Sequence, residues 1–361
     1  MVDSPSVRRS TLADVAQQAG VSTASVSYAL NGQPGISEET RVMILQTARR
    51  LGFRPNRLAR ALRNGRSHVI GLLLADITNP FYPKLAAGVI RGAEALGYQT
   101  FVSDTHGGHQ SLTKAVDALQ DHQCDGLIFT SLTEEDRPML DELARTATPF
   151  VQVVRQLSDL AADFVGVDDV ASGRLAAEHV LAQGCRDIAL LPGPQASSAS
   201  RDRLHGVRQA LEAAGVVITP AASVECDLTY DAGYAGAETL LSSHTAPPHA
   251  IICGNDMIAL GAIDVIMDKG WRVPEDVAVV GFDNMPFSSS KLIQLTTVAI
   301  PQEEIGATAV QLLVERLSDS RLKPRNILLP QRLIVGRTSM WARSDAEPVD
   351  PNNLLKKEVS L

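Results

Sequence analysis

Two rhythms of apolar residues divide this chain. Up to about residue 66 the apolar positions recur every three to four residues, the spacing of short amphipathic helices. Leu12, Val15, Ala16 and Ala19 share one face of a first helix. Thr11 can cap it with Asp14 three residues on, and Gly20 can end it. Ser22 caps a second helix with Val26, Ala29 and Leu30 turned inward. After the Gln33-Pro34-Gly35 turn, Ser37 caps a third, with Glu38 and Glu39 in its first turn. Val42, Leu45, Ala48 and Leu51 are its expected inner face, closed by Gly52. Phe53-Arg54-Pro55 breaks the pattern, and Asn56 to Gly65 reads as one more helix, too short to be stable alone in water.

From His68 the rhythm changes to near-continuous apolar runs alternating with helical stretches, as in parallel strands buried on both faces. Strands are expected at 69–74, 100–103, 126–129, 150–154 and 164–168, and again at 188–191, 223–226, 250–253 and 277–280. Helices are expected at about 83–96 and 302–317, with final strands at 326–329 and 333–335. The repeat of one strand–helix unit implies two doubly wound lobes.

Charge sharpens the division. Net charge is −8 over 361 residues, but residues 1–66 carry ten arginines against four acidic groups, +6, which leaves −14 for the remainder. A basic headpiece on an acidic body suits a DNA reader joined to a sensor. The joint between the first two helices is too short for an antiparallel hairpin, so they cross as in a helix-turn-helix. The second helix opens with Ser22, Thr23, Ala24, Ser25 and Ser27, small groups that allow close approach to phosphates and base edges. An ordinary helical hairpin packed in a core is the alternative for this stretch.

In doubly wound sheets ligands bind beyond the carboxyl ends of the strands. Those positions hold Asp76 to Tyr82, Thr130-Ser131, Arg155, Gly193 to Arg203, Asn255-Asp256 and Asp283-Asn284. Polar groups beside aromatics suit a sugar, whose hydroxyls need paired partners and whose ring faces need apolar cover. No phosphate-binding loop, nucleophile elbow or zinc-helix motif is found, so no catalytic residue, cofactor or metal is expected. His106, His109 and His122 read as surface or core residues. Cys124, Cys185, Cys226 and Cys253 are scattered, as buried thiols of a reducing cytoplasm would be. No signal peptide or membrane span is expected.

Asp14-Val15-Ala16, Ala19-Gly20-Val21-Ser22, Val26-Ser27, Leu30-Asn31, Ser37-Glu38-Glu39-Thr40-Arg41 and Arg54-Pro55-Asn56 occur here in order. In them the chain resembles the lactose/galactose-repressor family of bacterial transcription regulators, and the resemblance runs to about Arg337. It implies a small all-α helix-turn-helix headpiece plus hinge helix, joined to a two-lobed α/β periplasmic-binding-protein-like effector domain with parallel, doubly wound sheets. The implied divisions are a headpiece at 1–55, a hinge helix at 56–66, an effector and dimerisation domain at 67–340 and a disordered tail at 341–361. The N-lobe would take 67–163 and 294–323, and the C-lobe 164–293 and 324–340, with crossings near 163, 293 and 324.

The resemblance also implies roles. Thr23, Ala24 and Tyr28 would read bases, and Ser22, Ser25, Ser27, Asn31 and Ser37 would lie near the DNA backbone. Asn56 and Ala59 would be hinge-helix contacts and Leu62 a minor-groove wedge. Many members carry arginine where this chain has Tyr28, and tyrosine cannot pair bidentately with guanine. Asn79, Phe81 and Tyr82, then Arg201, Asn255 and Asp283, match effector-contact segments; Arg155 and Phe164 fall at pocket positions that vary in the family. The expected protein is a cytoplasmic, nucleoid-associated homodimeric repressor of a near-palindromic operator, set by a small molecule of sugar type. A purine- or nucleoside-responsive corepressed regulator and a solute-binding protein remain the alternatives.

Overall fold

The computed structural model describes residues 10–53, 66–157, 159–242 and 246–340. The chain divides into two compact units, Met1–His68 and Val69–Leu361. The expected hinge contacts Asn56, Ala59 and Leu62, and the tail at 341–361, lie outside the described residues.

The first unit holds α1 (Leu12–Ala19), α2 (Thr23–Leu30) and α3 (Glu38–Arg50). Each begins where a side-chain oxygen replaces the missing backbone partner of the first turn: Thr11, Ser22 and Ser37 accept from Asp14, Ser25 and Thr40 N–H. Thr11 and Asp14 complete a capping box, and Gly20 leaves α1 in the left-handed region at φ 67°. Val15, Ala16, Val26, Ala29, Ile44 and Ala48 form the small core. The expected phase of α3 is off by part of a turn. Val42 is 44% exposed, Ala48 is buried as expected, and Ile44 and Thr47 are buried beside it. The packing of α3 on α1 and α2 decides that phase, because its mixed sequence offers more than one apolar stripe.

The second unit is built on two sheets. The first orders its strands β10-β5-β4-β3-β1-β2 and every pairing in it is parallel. These are β1 (Val69–Leu74), β2 (Gln99–Asp104), β3 (Gly126–Phe129), β4 (Phe150–Val153), β5 (Asp163–Gly166) and β10 (Asn326–Leu328). The second orders β11-β9-β8-β7-β6, from β6 (Ile188–Leu191), β7 (Ala250–Cys253), β8 (Ala278–Asp283), β9 (Thr296–Ala299) and β11 (Arg332–Ile334), with β11 antiparallel. The first sheet is covered by α4 (Phe81–Ala95), α5 (His109–Asp121), α6 (Arg137–Arg145) and α11 (Gln302–Ser318). The second is covered by α7 (Asp169–Ala182), α8 (Ser198–Ala213), α9 (Tyr230–Leu241) and α10 (Asp256–Asp268). Apolar clusters fill both faces of each sheet, which is why the strands read as unbroken apolar runs.

The expected architecture is therefore present, with shifts. The stretch 223–226 makes only an isolated bridge, Ser223 to Leu190, instead of a strand. Strand β5 pairs with β4 in the first sheet and β9 with β8 in the second. The crossings thus fall after residues 166, 299 and 328, each a few residues later than expected. An apolar strand suits either sheet, and only its hydrogen-bonding partners assign it.

Candidate functional site

In the first unit the expected contact residues gather at the start of α2. Ser22, Thr23 and Ala24 are exposed, and Ser25 and Ser27 half-buried. Ser22 Oγ both accepts from Ser25 N at 3.1 Å and lies 2.9 Å from Ser25 Oγ. At the other end Asn31 Nδ2 donates to Ser27 O at 2.9 Å. Tyr28 is 41% exposed and its ring lies against Gly35, whose φ of 117° suits glycine. Ser37 is exposed as the cap of α3. Sequence reasoning gave Arg41 no structural role beyond its charge and its place in a matching segment. Its guanidinium donates to Gln33 O at 2.7 Å and to Tyr28 O and Ala29 O at 3.3 Å, tying α3 to the carboxyl end of α2. A hydroxyl-bearing helix start is thus presented to solvent, with the helix held from behind.

In the second unit most of the expected effector residues, Phe164 and Arg201 apart, lie beyond the strand ends of both lobes. Asn79 follows β1, and its Nδ2 donates across the lobes to Leu228 O at 3.4 Å. Asn255, which follows β7 and caps α10, donates to the same carbonyl at 3.3 Å. Phe81 and Tyr82 are buried at the start of α4, edge to face at 5.4 Å between ring centres. Arg155, just after β4, donates to Ser131 Oγ at 2.7 Å and reaches Tyr82 Oη at 3.5 Å. A second bridge between the lobes runs from Gln156 N to Ser198 Oγ at 2.9 Å. Phe164 lies within β5, opposite Gln152 and Asn326, with its ring over Gly166.

Asp283 ends β8 and is 5% exposed. Its Oδ1 lies 3.1 Å from Arg203 Nη1 yet accepts no aligned hydrogen bond. Arg203 also donates to Asp169 Oδ1 at 2.8 Å and Gly254 O at 3.1 Å, and its guanidinium stacks 5.0 Å from the Phe282 ring centre. One arginine therefore serves two buried carboxylates. Burial raises Asp169 to about 6, with Arg203 pulling the other way. Burial likewise raises Asp283 against the attraction of Arg203. Neighbouring Asp256 is pushed up to about 7 by burial and the charge of Asp283, although Ser288, Thr297 and Met285 N–H donate to it. Around Arg203 the buried carboxylates outnumber the arginine, an arrangement suited to a hydroxyl or amine hydrogen and hostile to an anion.

Sequence reasoning took Arg203 only as the end of the Gly193 to Arg203 stretch, gave Asp169 no part in the site, and placed the effector arginine at Arg201. Both arginines lie on α8, two residues and so about 200° apart around the helix. The buried face of α8 runs Ala199, Ser200, Arg203, Gly206, Val207 and Leu211. Arg203 is in phase with it, while the Arg201 side chain is 55% exposed beside Asp202. Gly173 and Gly206 allow the contact with Asp169, because a Cβ at either would sit 2.0 Å from Arg203 O or 1.9 Å from Val170 O. Helices α7 and α8 approach so closely only because both are glycine.

Two of these strand ends carry left-handed backbone. Val154 has φ 68° and Asp283 φ 100°, left-handed conformations that cost a side-chain-bearing residue about 1–3 kcal/mol each and occur at functional sites more than elsewhere. A cavity of about 410 Å³ opens between the lobes, lined by His109, Ser131, Thr133, Asp136, Ala196 and Arg201 among others. A larger groove of about 620 Å³, walled by Gln195, Arg208, Pro220 and Glu225, includes none of the converging effector residues. Among the described residues no group of His, Cys, Asp and Glu could hold a metal, and no helix is long and apolar enough to cross a membrane.

Comparison with known proteins covers both units. Residues 11–56 match the family described as "Bacterial regulatory proteins, lacI family". Residues 67–337 match "Periplasmic binding proteins and sugar binding domain of LacI family". The chain is 33% identical over 329 residues to the HTH-type transcriptional regulator DegA of Bacillus subtilis, covering 91% of this chain and 97% of that one. It is 32% identical over 320 residues to the ribose operon repressor of Escherichia coli K12, covering 88% and 96%. The lac repressor dimer bound to operator and the anti-inducer ONPF superposes with a TM-score of 0.83 at 30% identity, covering 93% of this chain and 100% of that one.

Proposed function

This chain belongs to the LacI family of bacterial regulatory proteins, and from that premise we propose a homodimeric transcriptional repressor that binds a near-palindromic operator and is set by a small uncharged molecule of sugar type. It acts in the cytoplasm and by binding, without turnover. Ser22 to Ser27, with Tyr28, approach the duplex; the two-fold symmetry of a dimer requires two-fold symmetry in the site. Asn79, Tyr82, Arg155, Asn255, Asp283 and, in place of Arg201, Arg203 form the effector floor.

The observation that carries the reading is the convergence of polar groups from both lobes on one floor, with Asn79 and Asn255 sharing the Leu228 carbonyl and Asp283 paired with Arg203 beside them. A ligand there touches both lobes and so favours one arrangement of them. Any difference in its affinity for two arrangements shifts operator binding by the same factor, usually 1–3 kcal/mol or about 5–150-fold. Arg203 is already matched by Asp169 and Asp283 and Arg155 is held by Ser131, so no uncommitted cluster of cations awaits a phosphate, which favours a neutral polyol.

The test begins with selection of duplexes from a random-sequence pool by the full chain. A two-fold-related site should emerge, and its affinity should fall with salt at a log–log slope of about −0.9 per neutralised phosphate. A sugar panel screened by thermal shift should then yield a compound that stabilises the chain by mass action and changes affinity for that site. Recovery of no preferred duplex, with or without sugars, overturns the reading.

A further inference from the structure

Two of the three crossings between the lobes, after residues 299 and 328, border one groove of about 580 Å³. That volume is within the range of small-molecule sites, roughly 300–1,000 Å³. None of the effector residues described above lines it. Its apolar lining comes from the crossings themselves, Ile300 and Pro301 from one, Leu329 and Pro330 from the other. Its charged lining comes from both lobes: Lys84 lies on α4 of the N-lobe and Arg332 on β11 of the C-lobe, with Glu303 and Glu304 in the first turn of α11. Glu303 is committed to Arg91. Lys84, Arg332 and Glu304 have no ion-pair or hydrogen-bond partner among the described residues. Two uncommitted cations, one per lobe, therefore stand against one uncommitted carboxylate, and a ligand with a single negative charge would balance the groove.

The groove also adjoins the effector floor. Gln302, 3% exposed and part of the groove wall, donates from Nε2 to Asp283 O at 2.5 Å, from one lobe to the other. Asn284, another wall residue, donates from its backbone N to Thr297 Oγ1 at 3.2 Å, and that hydroxyl donates to Asp256 at 2.7 Å. A shift of the groove walls thus acts on the backbone that carries Asp283. We propose that this groove is a second regulatory site, which takes a small monocarboxylate with an apolar body. The carboxylate bridges Lys84 and Arg332, the body lies against Ile300, Pro301, Leu329 and Pro330, and occupancy favours one arrangement of the lobes. Its effect on operator binding is set by the difference in its affinity for the two arrangements. The site does not depend on what the cleft holds.

The experiment is isothermal titration of the full chain with pyruvate, 2-oxoisovalerate, benzoate and phenylacetate, with benzamide and inorganic phosphate as controls for charge and for apolar body. At least one carboxylate should bind tenfold or more tightly than either control. Lys84→Ala and Arg332→Ala should each weaken it about tenfold, while Arg332→Lys keeps affinity within about threefold. Unchanged melting temperatures will show that the variants fold, since neither side chain is buried. Saturation with the carboxylate should change affinity for the selected duplex about fivefold or more, and the alanine variants should lose that response. If no carboxylate outbinds the controls, or if binding survives both alanine variants, the site falls. Binding lost in both variants while duplex affinity in wild type stays within twofold overturns its regulatory role. Failure to select any duplex strikes the repressor reading instead, and the titrations still decide the site.

Discussion

Asp163 and Asp283 are both buried carboxylates on sheet strands, both face arginine, and they are built to opposite balances. Asp163 begins β5, at the amino end of its sheet, and two arginines meet it: Arg316 Nε at 2.8 Å and Arg325 N at 2.8 Å, with the Arg325 side chain also reaching Glu315. Burial would raise its pKa, but those bonds outweigh burial and hold it below the usual range. Asp283 ends β8, at the carboxyl end, and shares one arginine with Asp169, so burial wins and its pKa rises. Two arginines against two carboxylates make a clamp with nothing left over. One arginine between two carboxylates leaves negative charge for something else to satisfy. The difference follows the geometry of parallel sheets, whose ligands gather at carboxyl ends while the amino ends close the fold.

The widest separation between the two networks should come from Asp163→Ala. It strands Arg316 and Arg325 without their common partner, and breaking a buried pair costs about 3–5 kcal/mol. Denaturant unfolding should show that loss, while effector binding at a temperature where the variant is folded stays within twofold. A loss below about 1 kcal/mol would make the amino-end cluster a surface feature with no clamping role.

Asp283→Asn should behave the other way. Asparagine keeps an acceptor and removes one surplus charge, so stability should change by under about 1 kcal/mol. Effector affinity should fall at least tenfold, or about 1.4 kcal/mol. Unaltered affinity by calorimetry would remove Asp283 from the floor.

The smallest effect is in pH. Asp169 at about 6 and Asp256 at about 7 stand above their ordinary 3.8, so the folded chain holds protons that the unfolded chain has released. Between about pH 4 and 7 that contribution falls as pH rises, by the linkage relation. Buried His179, whose pKa is lowered by burial, has the opposite sign. The comparison is therefore between wild type and Asp256→Asn, with melting temperatures taken from pH 5.5 to 8. The variant should lose part of the decline that wild type shows on going to higher pH. Parallel curves would mean that Asp256 carries no net charge penalty at neutral pH.

What could be read from residue order was whatever local chemistry specifies. Thr11, Ser22 and Ser37 had to cap helices, Gly20 had to end one, and unbroken apolar runs such as Val69–Leu74 had to be strands covered on both faces. The strand-end positions of Asn79, Arg155, Asn255 and Asp283 followed from the same alternation. Even Arg203 was legible in principle, since it shares the helical phase of Ala199, Gly206 and Val207. Tertiary contacts alone decided the rest. Which sheet takes β5 or β9 depends on hydrogen bonds to strands far away in the chain. Which of two arginines two positions apart turns inward depends on how closely α7 and α8 approach, and glycines 33 positions apart in number, Gly173 and Gly206, set that distance. Local propensity acts over one turn of helix or one strand, whereas charge balance in a buried site is a sum over elements that only folding brings within a few ångströms of each other.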